Sequence, residues 1–328
     1  MAKKQTNETF KTSIGGQALI EGIMMLGPEK SATVVRDKEG LHTKVEPRKL
    51  PKKGFSFRKI PFIRGVFNFC TSMKVGVKAL MYSAEFFADD EEPIPEEKKS
   101  RLDKWLESEK AEGVVITLAV VLGIVMSIGL FIVLPSILGS VLSRWVHNEL
   151  LLYLVEGLLR IVILVLYMFL ASKMKDMKRV FAYHGAEHKT IRCYEARLPL
   201  TVENVKKQTR LHPRCGTSFL FVVLFLSILV FSIASILLRP ITPEFDSAVL
   251  NALVRIVLKL LLLPIVVGMA YELNRAVGRH DNWLTRAVSA PGMWLQYITT
   301  NEPDESMIEV GIEALTLVLP EEEGSDKW

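Results

Sequence analysis

Four long apolar runs dominate this chain, at residues 113–143, 149–172, 217–238 and 248–272. Each is long enough to cross the ~30 Å hydrocarbon core of a bilayer as a helix. None has the short apolar core and small-residue cleavage site of a signal peptide, and the N-terminus (MAKKQTNETFK) is polar. The pattern predicts four transmembrane helices in a protein that is not secreted. Upstream the period changes from helical to alternating. Ser31 to Asp37, the turn Lys38-Glu39-Gly40, and Leu41 to Val45 read as a β-hairpin. Before it lies Gly15 to Met25, with glycines at both ends and one acidic residue, Glu21. This stretch is either a strand with flexible ends or a backbone that approaches something closely, with Glu21 buried and partnered.

Residues 60–88 place apolar side chains at helical spacing, interrupted by Arg64, Lys74 and Lys78. That suits an amphipathic helix lying in the membrane interface, or a soluble helix packed on the hairpin. Residues 89–99 read as a solvated acidic linker, and Glu305 to Leu317 as a second amphipathic helix. The predicted fold is mainly α: an integral membrane bundle of four transmembrane helices, a small β-containing N-terminal region and amphipathic interfacial helices. Its blocks are 1–59, 60–112, 113–272 with a connecting loop at 173–216, and 273–328.

Charge sets the orientation. The 173–216 loop carries eleven Lys and Arg and residues 1–112 carry twenty-one, whereas the other two connections hold Arg144 and Arg239 alone. The positive-inside rule places both termini and the 173–216 loop in the cytoplasm. The net charge of +5 needs no nucleic acid; it fits a basic face lying against anionic lipid headgroups. The three cysteines, Cys70, Cys193 and Cys215, all fall on that reducing side and lack C-x-x-C spacing, so no disulfide framework is expected.

Candidate chemistry concentrates in His184-Gly-Ala-Glu187-His188, which has the H-x-x-E-H order of inverted zincins. On a helix, His184 and His188 leave one face and can reach one metal ion, and Glu187 is the candidate catalytic base or a residue that orients the ligands. His212 and Cys215 precede the third apolar run, and His280 with Asp281 follows the fourth. All three segments meet the bilayer on one side, so a compact bundle makes them converge. The candidate ligands are His184, His188, His212, Cys215 and His280, with Glu195 and Glu272 as further carboxylates. Two histidines and a cysteine suit zinc; a histidine and carboxylate set also admits iron or manganese. Arg192 or Arg214 could stabilise an oxyanion. The bland alternative is a basic loop whose histidines pair with acidic residues and headgroups. Within the second and fourth runs, Glu156 and Arg160, and Arg255 and Lys259, are i, i+4 pairs. They predict either structural ion pairing with snorkelling, or a cationic pocket for an anionic group such as a lipid phosphate.

Four motif blocks together resemble one family. They are Gly15-Gly16-Gln17-Ala18 with Glu21-Gly22 and Met24-Met25; Tyr183 to Lys189; His212-Pro213-Arg214-Cys215-Gly216-Thr217-Ser218-Phe219; and Gly278-Arg279-His280-Asp281-Asn282. From about Gly15 to Leu317 the chain is similar to the YqhQ-like bacterial membrane family, a domain of unknown function often labelled a predicted metal-dependent enzyme. That family commonly has Arg after the Met-Met pair, where this chain has Leu26. The resemblance implies a multi-pass protein of the bacterial plasma membrane. Three functions are open: a metal-dependent hydrolase at the cytoplasmic face; a non-enzymatic assembly, quality-control or scaffold factor that binds other membrane proteins; and a small transporter, which would need a homo-oligomer.

Overall fold

The computed structural model describes residues 10–48, 60–87, 109–243, 245–280, 282–322 and 324–327. The acidic linker and Asp281 lie outside these residues. The chain divides into two compact units: residues 1–87, 168–223 and 267–328 form one, and residues 88–167 and 224–266 the other.

The first unit is built on a four-stranded antiparallel meander, β1 (Gly15–Leu19), β2 (Gly22–Leu26), β3 (Lys30–Arg36) and β4 (Leu41–Pro47). The predicted hairpin is β3–β4, with Arg36 opposite Leu41. Its turn is held by Asp37 Oδ1, which accepts from the Glu39 and Gly40 amides at 2.8 and 3.0 Å. The Gly15–Met25 stretch is a second hairpin, with Leu19 opposite Gly22 and Glu21 at φ 48° in the tight turn. Glu21 is partnered there: its carboxylate accepts from the Arg179 guanidinium and, at 3.1 Å, from the Tyr183 hydroxyl.

The remaining elements are α1 (Ile63–Glu85), α2 (Glu109–Ile128), a π turn (Gly129–Val133), α3 (Leu134–Leu142), α4 (Glu149–Ala171), α5 (Lys175–Glu195), α6 (Val202–Lys206), α7 (Gly216–Leu238), α8 (Ala248–Arg279), α9 (Trp283–Thr299) and α10 (Glu305–Thr316). Strand periodicity sends alternate residues of β2 to opposite faces. Ile23 and Met25 join Val34, Tyr183, Ala186, Val310 and Leu315 in the core against α5 and α10. Met24 and Leu19 meet Ala79 of α1 on the other face. On α1 the buried positions are all small (Gly65, Gly76, Ala79, Ser83), while Phe67, Met73, Val77 and Leu80 remain exposed. Near the chain's ends, the Thr12 hydroxyl donates to Asp326 Oδ2 at 2.6 Å, and Thr12 bridges Lys327 in antiparallel register.

Four helical stretches are long and apolar enough to cross a membrane: Thr117–Leu142, Leu151–Ala171, Gly216–Ile241 and Val249–Arg279. The first passes through the π turn just before Pro135, whose missing N–H cannot close the usual i→i−4 bond. The fourth runs seven residues beyond the apolar pattern, to Arg279 rather than 272. The Arg64–Glu272 ion pair, with Arg64 Nε 2.6 Å from Oε1, holds the start of this extension.

Leu315 is fully buried between the sheet and α5. Leu315→Ala is expected to cost about 2–5 kcal/mol. The check is a lowered thermal unfolding midpoint of the detergent-solubilised protein.

Candidate functional site

Helix α5 is unusual because its buried face is polar. Glu187, His188, Lys189 and Thr190 are all buried beside Tyr183 and Ala186. A helix pays for buried polar groups only where they are satisfied, and here the partners come from other segments. Residues 299–301 cross α5 at Gly185, where an added Cβ would lie 2.0 Å from the Asn301 carbonyl oxygen. The Asn301 amide donates to Phe181 O at 2.8 Å, and Thr299 O sits 2.9 Å from His184 Nδ1. Arg210 O lies 2.5 Å from His188 Nδ1. Both carbonyls only accept, so each imidazole carries its proton on Nδ1. Each Nε2 is thereby directed away from the backbone. His184 Nε2 is 3.1 Å from Cys215 Sγ. His188 Nε2 is buried and makes no hydrogen bond among the described residues. Ligand atoms of His184, His188 and Cys215 all lie within 4.8 Å of one another.

Cys215 stands directly before α7, so the positive end of that helix favours its thiolate. Thr217 Oγ1 also donates to Sγ, at 3.3 Å. Burial alone would push this thiol up; the His184 and His188 imidazoles more than reverse it and hold the thiol well below its ordinary value. Burial likewise works to lower His184, but the Cys215 sulfur and Glu187 raise it to about 9. Glu187 Oε2 is 3.9 Å from His184 Nε2. Burial raises its pKa, against the two histidines and the Gly16 amide, which favour the carboxylate. Gly16 lacks a side chain for a reason: a Cβ there would lie 2.9 Å from Glu187 Cγ and 2.8 Å from Met24 O. Gly16, Glu187, His188, His212 and Cys215 line a small cavity of about 90 Å³.

The remaining candidates are placed differently. His212 is buried next to His188, with ring centroids 5.6 Å apart, but its Nε2 faces Glu195 Oε2 at 3.4 Å. Glu195 also takes the Thr12 amide at 2.9 Å and the Arg214 guanidinium. Arg192 Nε donates to Leu211 O at 2.6 Å, and Glu272 is held by Arg64. His280 is exposed at the tip of the lengthened α8 and lines a separate, larger cleft. In the second unit, Glu156, Arg160 and Lys259 come together: the Glu156 carboxylate accepts from both cations and, at 3.0 Å, from Ser136 Oγ. Arg255 is exposed, and its Nε donates to Asn251 O at 3.3 Å.

Sequence reasoning missed Gln296. It is fully buried; its Oε1 accepts from the His212 amide and its Nε2 donates to His212 O, both at 2.8 Å. This side-chain clamp fixes the backbone that presents Cys215. Its only signal was a polar residue on the buried stripe of an otherwise apolar segment, MWLQY.

Gly185→Ala is expected to destabilise the fold by about 1–3 kcal/mol, although Ala normally favours helix. The check is a lower unfolding midpoint together with altered His184 ring NMR shifts. A second expectation concerns pH. Burial pushes His212 down to about 4 from 6.5, so the unfolded imidazole takes up a proton that the folded one refuses. Stability of the metal-free protein should therefore fall as pH drops from 6.5 towards 4, by roughly 3 kcal/mol in all from this residue. Unfolding midpoints measured against pH should show that slope reduced in His212→Gln.

The family described as "Protein of unknown function (DUF1385)" matches residues 60–321. The chain is 33% identical over 317 residues to the "Uncharacterized protein YqhQ" of Bacillus subtilis (strain 168), covering 93% of this chain and 92% of that protein. No solved structure matches. The chain belongs to the DUF1385 family of YqhQ-like proteins.

Proposed function

We propose that this membrane protein is a metal-dependent hydrolase whose site lies at the cytoplasmic face of the bacterial plasma membrane. One observation carries the reading: two imidazoles, each fixed by a backbone carbonyl at Nδ1, converge through Nε2 with the Cys215 sulfur. Carbonyls behind ligating histidines set tautomer and ring orientation. The donor set fits the metal. Two imidazole nitrogens and one thiolate are a zinc set, and three protein ligands leave a coordination position for substrate or water.

His184, His188 and Cys215 would hold the ion, with His212 adjacent. When bound, a divalent ion supplies Lewis acidity and an acidified water. The chain's own residues supply the rest. Glu187 borders the cavity, where its carboxylate can take a proton and give it back. Arg214 lines the same cavity and adds positive charge. The Lys and Arg excess of residues 1–112 and 173–216 supports the cytoplasmic orientation and contact with anionic headgroups. A non-enzymatic partner of other membrane proteins, with a structural metal, is the second reading; the exposed apolar side chains of α1 favour it.

Elemental analysis of the purified protein should find about one zinc or similar ion per chain, and His184→Ala/His188→Ala should lose it. Glu187→Gln should keep metal and fold but lose the cellular role. A Glu187→Gln protein that keeps its role indicates the scaffold reading, and no metal in the wild type sinks the metal site altogether.

A further inference from the structure

The first unit holds a larger cleft, of about 660 Å³, which shares Arg214 with the small cavity. Its wall carries four cations, Lys11, Arg192, Arg214 and Arg286, against the single carboxylate of Glu195 among the described residues. That carboxylate is already engaged by Arg214, Thr12 and His212. Among the described residues, Arg192 makes one hydrogen bond, from Nε to Leu211 O. Its two Nη groups therefore have no hydrogen-bond acceptor among the described residues, although the guanidinium is partly buried. A fixed guanidinium with open Nη donors suits a phosphate oxygen.

Helix α9 brings aromatic side chains to the cleft together with Arg286. Trp294 and Tyr297 of α9 line it yet remain 67% and 58% exposed. Trp283, about three turns earlier on α9, is 79% exposed. Large exposed aromatics at a membrane-spanning helix end are characteristic of the headgroup layer. The cleft meets such an end, since Val277 and Gly278 of the fourth span, and His280 just after it, also line it. Cations and exposed aromatics in one cleft ask for an anionic head joined to an apolar body.

We propose that this cleft binds the phosphate headgroup of an anionic lipid, with the acyl chains along Trp294 and Tyr297. We propose too that a phosphoester lipid is the substrate of the His184/His188/Cys215 site, which rests on the hydrolase reading. Arg214 lines both the cleft and the small cavity that Glu187, His188 and Cys215 border, so the two spaces share one guanidinium. In the hydrolysis, the oxygen of one water bonds to phosphorus and the ester P–O bond breaks. One water proton passes to Glu187 and from it to the leaving alcohol.

The test is a binding titration on the full chain in detergent, read by tryptophan fluorescence. The probes are dihexanoyl phosphatidic acid, dihexanoyl phosphatidylcholine and inorganic phosphate. Phosphatidic acid should bind at least about tenfold more tightly than either other probe, a difference of about 1.4 kcal/mol. Arg192→Gln and Arg286→Gln should each weaken it several-fold, with circular dichroism reporting the fold of each variant. Trp294→Ala should weaken the lipid and leave phosphate unchanged. Equal binding of phosphatidylcholine overturns the headgroup site, and equal binding of inorganic phosphate shows a free-anion site instead. His184→Ala/His188→Ala should still bind phosphatidic acid but release no alcohol or phosphate from it. Lipid binding without hydrolysis by the metal-loaded wild type removes the substrate assignment and leaves the binding site; loss of metal alone removes only the hydrolase reading.

Discussion

The crossing of α5 by residues 299–301 is the constraint on which the site depends. At Gly185 two backbones meet with no room for a methyl group. That closeness brings Thr299 O to His184 and the Asn301 amide to Phe181 O. On the neighbouring turn, Arg210 O performs the same service for His188, and the Arg210 guanidinium in turn bonds Thr300 O. The histidines are therefore not simply two side chains on one helical face. Their tautomers are set by main-chain atoms from two other segments, which cannot change protonation state and leave both Nε2 atoms as the variable part.

The second unit obeys a different rule. Its charges have little water to turn to, so they turn to each other. Glu156, Arg160 and Lys259 are each at most 8% exposed, and one carboxylate serves both cations. Breaking such a cluster strands a charge, which usually costs more than the cluster itself contributes. Ser136 completes it from another helix, donating to Glu156 and accepting from Lys259 at 2.8 Å. This polar knot cross-links three helical segments whose outer faces are apolar, and it gives their packing a register that hydrocarbon contacts alone would not.

Much of the architecture was legible because it is written locally. Uninterrupted apolar runs report the four spans, and period-two alternation with Lys-Glu-Gly reports the β3–β4 hairpin. The i, i+4 spacing of His184 and His188 needs only a helix to place both on one side, and Cys215 follows from the shared end of the bundle. What was not legible depends on close approach between distant segments. Gly16 was noticed as a glycine, but only the fold shows that Glu187 occupies the space of its missing Cβ. Gln296 stands in sequence as one polar residue in an apolar segment, yet it holds both main-chain polar groups of His212. His280 was expected beside the other histidines because the apolar pattern stops at 272; helix-forming residues carry α8 on to Arg279 and move His280 to the wall of the larger cleft.

The pairing of Thr12 with Asp326 and Lys327 has a consequence for the order of assembly. The sheet unit draws on residues from both extremes of the chain, and the Tyr194 hydroxyl joins the same Asp326 carboxylate at 3.0 Å. The contacts that close this unit are thus of very high contact order and form late. A nascent chain can insert its apolar helices as they emerge, but the Glu195 side of the site stays unclasped until residue 326 has been synthesised. The latch thus joins residues 314 apart in sequence, and a chain cut before residue 326 would leave Thr12 and Tyr194 without it.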